Sequence, residues 1–164
     1  MLIPLTQGKV AIIDDDDFAL VAPYKWSAAR CPKSPDVFYA RCSFIENGKS
    51  CRIGMHRHIL GLTIGDGLEV DHADGDGLNN SRSNIRVCTH AENMKNKRKR
   101  RNSSTPFKSV YPVGKRYQAR ITVDGKRINL GMFDTAEEGH AAYVLAAETL
   151  HGEYANSGVH SSMK

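Results

Sequence analysis

The four cysteines of this 164-residue chain, Cys31, Cys42, Cys51 and Cys88, are scattered, and no two of them form a C-x-x-C pair. That lack excludes a clip of paired thiolates around zinc and gives no disulfide framework. Reduced thiols packed in a cytoplasm are the expectation. No apolar run approaches the roughly 20 residues that a membrane helix needs, and the first residues lack the basic-then-apolar pattern of a secretory leader. Hydrophobic residues make up only 40% of the chain. Two small cores suit that fraction better than one large core, since small domains keep more of their surface exposed. Negative charge is also short: 18 Asp and Glu stand against 23 Lys and Arg, a formal net charge of +5 with a sequence pI of about 9.1. Such a balance attracts polyanions, although where the charge sits matters more than its total.

What is present divides near residue 100. Residues 95–101, Lys-Asn-Lys-Arg-Lys-Arg-Arg, put six positive charges in seven positions, and Asn102-Ser103-Ser104-Thr105-Pro106 follows. One-signed charge, then small polar residues, then proline is the composition of an exposed linker. Beside a nucleic-acid site, Lys97, Arg98, Lys99, Arg100 and Arg101 would neutralise several phosphates and make binding strongly salt-dependent.

Before that run, residues 1–55 read as short strands and turns. Val10–Ile13 and Phe38–Phe44 are strand-like, and Asn47-Gly48 is a hairpin turn. The acidic run Asp14–Asp17 reads as a surface turn, because four consecutive carboxylates cannot all point at one ion. Met55–Leu62 suits a short helix. After the run, Lys108–Val113 suits a first strand. Tyr117, Ala119, Ile121 and Val123 then alternate with Arg116, Gln118, Arg120 and Thr122, which gives one apolar and one basic face. Asp124-Gly125 turns the chain, and Ile128, Leu130 and Met132 are expected inward on the next strand. Thr135-Ala136-Glu137-Glu138 is a capping box. It opens a helix with an expected apolar stripe of Ala142, Leu145, Ala146 and Leu150, stopped by Gly152.

The densest stretch is Val70–Asn96. Val70-Asp71-His72 ends an apolar segment, and a loop with Gly75, Gly77, Asn79 and Asn80 follows. Asn84–Cys88 alternates like a strand. Thr89-His90-Ala91-Glu92 is a second capping box, so Asn93 falls in the first turn of a helix running into the basic stretch. The order is strand, loop, strand, helix. This segment resembles the HNH endonucleases, the ββα-metal or His-Me finger nucleases, and particularly their phage and intron-borne homing type. The matching residues are Asp71-His72, Asn84 in Ser83-Asn84-Ile85-Arg86, and Asn93 in Glu92-Asn93-Met94-Lys95-Asn96. The third position is asparagine rather than histidine, a variant which that subgroup also uses. The resemblance implies that His72 is the general base, that Asp71 and Asn93 hold the metal, and that Asn84 braces the loop and the histidine's orientation.

The chemistry agrees. Phosphodiester hydrolysis needs a deprotonated water in line with the scissile bond and positive charge against the anionic transition state. A histidine with an ordinary pKa near ~6.5 can accept the water's proton at neutral pH. Neighbours on a strand point to opposite sides, so one ligand and one base is the economical division of labour between Asp71 and His72. Carboxylate and carboxamide oxygens suit one hard divalent ion, Mg²⁺ or Mn²⁺, better than zinc. A structural zinc held by His56, His72 and the cysteines fits no zinc spacing. His56 and His58 could reach a cleft but fit a short surface helix. His90 belongs to a helix start, and His140 and His151 are expected to face solvent. Arg57, Arg82 and Arg86 could be phosphate contacts or ordinary surface charge.

Residues 107–156 resemble the apetala-type (ethylene-response-factor) DNA-binding domain, which is also found attached to phage HNH nucleases. The matching stretches are Phe107–Tyr111, Tyr117–Ile121, Leu130–Glu138, Ala141-Ala142-Tyr143 and His151–Asn156. In that family a three-stranded sheet lies in the major groove, which by position implicates Lys108, Tyr111, Arg116, Arg120, Arg127 and Asn129. Ser109 stands where the family has glycine. Tyr111 and Asn129 stand where plant members have arginine and tryptophan, and Gly139-His140 interrupts the alanine-rich helix, so plant sequence preference does not transfer.

The expected protein is therefore α+β. A ββα-metal nuclease domain with short N-terminal strands spans 1–98 (core motif 68–98). A linker spans 99–106, a three-stranded antiparallel sheet packed on one helix spans 107–156, and a tail spans 157–164. It is expected to be a metal-dependent endonuclease on double-stranded DNA, with no membrane partner, acting as a monomer or weak dimer. One active site per chain favours nicking. The resemblances imply a phage-encoded protein working in the cytoplasm of a bacterial host. The alternative is a non-cleaving DNA-binding regulator with a vestigial HNH module.

Overall fold

Tight turns and short hairpins organise most of the chain. A computed structural model describes residues 1–32, 34–96 and 103–156, and the chain divides into two compact units, Met1–His90 and Ala91–Lys164. Its architecture is mixed, with four small antiparallel sheets and few helices among the described residues. No helix among them is long and apolar enough to cross a membrane.

In the first unit, β1 (Leu2–Pro4) and β2 (Val10–Ile12) form a two-stranded ribbon, followed by the one-turn helix α1 (Phe18–Val21). A sheet of β3 (Ser27–Cys31), β4 (Ser34–Glu46) and β5 (Lys49–Gly54) comes next, with β4 central. The turn between β4 and β5 is Asn47-Gly48, with φ of 50° and 74°. Positive φ at both central residues matches the right-handed twist of the flanking strands, and asparagine followed by glycine accepts it most readily. Then come α2 (Met55–Ile59) and the hairpin of β6 (Glu69–His72) with β7 (Ile85–Cys88). Ile13, Val21, Trp26, Met55, Ile59 and Ile85 meet in one core. The core therefore joins the N-terminal ribbon, both short helices and the β6–β7 hairpin, which gives the hairpin a rigid floor.

The acidic run is more than the expected surface turn. Asp15–Asp17 form a 3-10 turn, and Asp17 is only 2% exposed. Its carboxylate accepts from Arg82 Nε at 3.0 and 3.1 Å and from Nη2 at 2.7 Å, while Arg82 Nη2 also reaches the Ile59 carbonyl. Asp14 accepts the Arg82 backbone N–H at 2.7 Å. A buried carboxylate needs a cation or donors to replace its lost hydration, and here an arginine far along the chain supplies both.

Helix α3 (His90–Asn96) begins in the first unit and ends in the second. The second unit continues with β8 (Val110–Val113), β9 (Arg116–Val123) and β10 (Lys126–Phe133), β9 central, and α4 (Ala136–His151) packed on the sheet. The Thr135–Glu138 capping box forms as expected, and Gly152 ends α4 at φ 55°. In β9 the expected alternation holds, with Ala119 and Ile121 fully buried.

Expectations for β10, for the stripe of α4 and for two histidines fail in this unit. In β10 the register with β9 shifts between Asn129 and Gly131, so that Leu130 is an extra, bulged residue. A bulge exchanges the faces of everything beyond it. Leu130 and Phe133 therefore pack on the core, whereas Met132 faces out. The stripe of α4 is also different. Its buried residues are Ala136, Gly139, Tyr143, Ala147 and His151, while Leu145 is 68% exposed. Small residues let the helix approach the sheet closely: a Cβ on Gly139 would meet Val110 Cγ1 at 3.2 Å. His151 is buried, with Nε2 at 3.0 Å from the Thr122 carbonyl, and His140 stacks on Phe107. Neither faces solvent as the helical position suggested, and burial lowers the pKa of both.

Candidate active site

The site is built on the β6–β7 hairpin. Its register pairs Asp71 with Arg86 and His72 with Ile85. Paired residues share a face and successive ones alternate, so Asp71 stands beside Arg86 while His72 goes with Ile85 to the core side. Asp71 is 6% exposed, and its Oδ2 accepts from Arg86 Nε at 2.9 Å and Nη2 at 2.6 Å. Arg86 is thus an ion-pair partner within the site. Arg57 similarly pairs with Asp66 at 2.7 Å and closes the loop after α2.

The connection between the strands is held almost wholly by carboxamides and carboxylates. Asn84 Oδ1 accepts from the Asp74 N–H at 3.0 Å. Its Nδ2 donates to Asp74 Oδ1 at 3.0 Å and to the Asn79 carbonyl at 2.7 Å. Asn79 Nδ2 donates to Asp74 Oδ2. The loop is further sewn to β2, with Ile12 N–H on the Leu78 carbonyl and Asn80 N–H on the Ile12 carbonyl. Gly77 is needed where the loop crosses β4, because a Cβ there would run into the Phe38 carbonyl oxygen and meet the Tyr39 ring at 2.6 Å.

Asn84 therefore braces the loop, but the hydrogen bond that orients His72 comes from another residue, Asn80. Asn80 is completely buried, its Nδ2 donates to the Leu78 carbonyl, and its Oδ1 lies 3.3 Å from His72 Nε2. With Nδ2 spent on a carbonyl, the oxygen must face the imidazole, and an amide oxygen can only accept. The proton therefore sits on Nε2, and Nδ1 is the basic nitrogen of the neutral ring. The sequence signal for Asn80 was the Asn79-Asn80 pair, which reads equally well as ordinary turn chemistry.

His56 was also misplaced by the sequence. Rather than lying on a surface helix, its ring meets the His72 ring edge to face at 5.0 Å and 84°, with Tyr39 about equally close to both. Gly54 makes room, since a Cβ there would come within 2.6 Å of the His56 ring. Burial, helped by the neighbouring His72 and Arg57, pushes the His56 pKa down to about 3. Burial also lowers that of His72, against the Asn80 hydrogen bond and the Asp74, Asp71 and Asp76 carboxylates. A folded-state pKa depressed below the unfolded value contributes stability that is complete above the unfolded pKa and lost as pH falls. Stability should fall between pH 6.5 and about 3, by at most ~1.4 kcal/mol per pH unit from this one group. Urea unfolding at pH 7.5 and pH 5 should show His56→Phe losing less stability on acidification than the parent. Equal losses would mean that His56 titrates normally.

Of the other expected site residues, Asn93 lies in α3, within the second unit. Lys97, Arg98, Lys99, Arg100 and Arg101 lie outside the described residues. On the open face of the second sheet stand Tyr111, Arg116, Arg120, Arg127 and Asn129. Arg120 lies over the Tyr111 ring and donates to Gln118 Oε1, and Arg116 pairs with Asp134 at 2.8 Å. Lys108 is not among them. Its Nζ turns inward, donating to the Lys95 carbonyl at 2.9 Å and the Asn156 carbonyl at 3.4 Å, because it precedes the strand and follows Phe107 into the core.

A family model for the HNH endonuclease matches residues 54–95, from the residue before α2 to α3. An uncharacterized HNH endonuclease of Acanthamoeba polyphaga mimivirus is 30% identical over 156 residues, covering 91% of this chain and 74% of that protein. The chain belongs to the HNH endonuclease family. No solved structure matches it. Membership makes it a nuclease by family and implies a DNA substrate. The matched stretch holds His56, Asp71, His72, Asn80, Asn84 and Asn93 together.

A divalent metal is implied by the family. Among the described residues no three His, Cys, Asp or Glu side chains gather into a metal cage. The donors expected from the sequence are the Asp71 carboxylate and the Asn93 carboxamide. Oxygen donors in such small number fit a hard ion that keeps several waters and borrows phosphate oxygens, rather than a closed thiolate or imidazole site.

Proposed function

We propose that this HNH endonuclease hydrolyses a phosphodiester bond of double-stranded DNA with His72 as general base. The observation that carries the reading is the Asn80–His72 contact, which leaves Nδ1 as the proton-accepting nitrogen on a ring held by Tyr39 and His56. Nδ1 takes a proton from the attacking water, and the resulting imidazolium keeps its Nε2–H on Asn80. Asp71, Asp74 and Asp76 favour that charged form. His56, neutral at physiological pH, adds no opposing positive charge. Asp71 and Asn93 would hold a divalent ion, Mg²⁺ or Mn²⁺, which when bound offsets negative charge on the scissile phosphate and the leaving oxygen. Asn84 keeps the intervening loop closed over Asp74.

The second module supplies grip in this reading. Its three antiparallel strands on one helix, with arginines on the open face, support an apetala-type mode in which Tyr111, Arg116, Arg120, Arg127 and Asn129 contact the duplex. The Lys97–Arg101 run adds phosphate neutralisation. Tethering two weak surfaces raises affinity without new contacts. One site per chain points to nicking by a monomer.

The test is supercoiled plasmid with the purified protein in Mg²⁺, in Mn²⁺ and in EDTA. Conversion to open circles, absent in EDTA, is the expected result. Duplex binding without strand breaks in either metal would replace this reading with that of a non-cleaving regulator.

A further inference from the structure

Helix α3 is short, at seven residues, and a single isolated helix of that length is unstable in water because nucleation costs more than so few hydrogen bonds return. Its ends must be held from outside. At the first residue, His90 Nδ1 donates to Glu69 Oε1 of β6 at 2.7 Å. At the last turn the holders come from far along the chain. Lys108 Nζ donates to the Lys95 carbonyl at 2.9 Å, placing a cation at the negative end of the helix dipole. Asn156 Nδ2 donates at 2.9 Å both to the Asn96 carbonyl and to Asn96 Oδ1, and Asn96 is itself buried. The two holders are joined, since the Asn156 carbonyl accepts from Lys108 Nζ and from the Tyr143 hydroxyl of α4. The terminal carbonyls of a helix have no partners within it, and these donors satisfy those of Lys95 and Asn96.

We propose that Lys108 and Asn156 are positioning residues for Asn93: the second module clamps the C-terminal end of α3 and so sets the carboxamide that would serve the metal. The inference rests on the reading of Asn93 as a ligand, and it gives the second module a part in catalysis beyond gripping DNA. It also accounts for a lysine turned inward from an otherwise basic surface. Burial holds the Lys108 pKa down to about 8, the mark of an ammonium removed from water. A displaced ligand costs rate rather than substrate affinity, and misplacement by ~1 Å can cost ~10²-fold.

The experiment uses the full chain with Lys108→Met, Asn156→Ala and Asn93→Ala, each checked for a parental circular dichroism spectrum. On supercoiled plasmid, Lys108→Met and Asn156→Ala should lower kcat by about tenfold or more, change KM less than about twofold, and raise the Mg²⁺ concentration for half-maximal cleavage. Without metal or DNA, amide hydrogen exchange in residues 93–96 should quicken in both variants and stay parental in Asn93→Ala. A raised KM with parental kcat and parental exchange would overturn the clamp and leave the module a grip alone. Should Asn93→Ala cleave like the parent, the ligand reading falls. If Asn93→Ala is inactive while the clamp variants keep parental kcat and Mg²⁺ response, the clamp inference falls by itself. If either clamp variant fails to fold, the other decides, and Asn156→Asp keeps the shape while removing the donor.

Discussion

His72→Ala is expected to lower plasmid cleavage on the order of 10²–10⁴-fold, the range that a general base contributes, while duplex binding in a gel-shift assay stays within about twofold of the parent. The ring is 5% exposed and packs among Tyr39, His56 and Ile85, so a fair comparison includes His72→Gln, which fills more of the space. Both variants should be equally inactive if the ring acts as a base, and only the alanine should be much less stable. The pH profile adds a second arm. With His72 as the base, cleavage would need the neutral ring, so kcat/KM should fall as pH drops through the His72 pKa, and burial places that pKa below its ordinary value of 6.5. An acidic limb centred above that value, or a glutamine variant with near-parental rate, would assign the base elsewhere.

What the sequence made legible were features whose cause is local. Asn47-Gly48 and Asp124-Gly125 fix their turns by backbone conformation alone, the Thr135–Glu138 box caps α4, and the alternation of β9 follows from the strand period. The order strand, loop, strand, helix around Asp71, His72 and Asn84 was readable for the same reason. Features settled by tertiary contact were not. Leucine at 145 and 150 suggested an apolar stripe, yet the sheet selects the face of α4 that comes closest, and that face is glycine and alanine around Tyr143. The bulge at Leu130 leaves no local mark except a following glycine, and it reverses Met132 and Phe133. His56 looked solvated because helical spacing cannot report that β4 and β6 close over it. Lys108 was assigned to the open face by analogy of position, but the chain there has not yet entered the strand: Ser109 has φ 61° and β8 begins at Val110. Asn80 and Asn84 divide between them a task that the family resemblance implied for Asn84 alone, since only the folded loop shows which carboxamide faces the ring.

The acidic run is the widest gap between the two readings, and it leads to the second large effect. Asp17 and Arg82 are 65 residues apart and no local rule pairs them. Arg82→Met should cost about 2–4 kcal/mol in urea unfolding. Removing one partner of a buried pair typically costs ~3–5 kcal/mol, and the half-exposed arginine lets solvent screen part of that. The carboxylate left behind remains enclosed at 2% exposure. Asp17→Asn added to Arg82→Met should therefore recover part of the loss, because it removes the stranded charge and keeps the shape. The effect should extend to cleavage. Arg82 also joins the Ile59 carbonyl of α2 and, through its backbone, Asp14, and it immediately precedes Ser83-Asn84 in the loop that shapes the site. Loosening it frees the brace on Asp74 before the core melts, so activity should decline at a lower urea concentration than the fluorescence of Trp26 reports unfolding. A loss below ~0.5 kcal/mol would mark the pair as an ordinary surface bridge, and parallel loss of activity and fluorescence would mean that the loop and core yield as one unit.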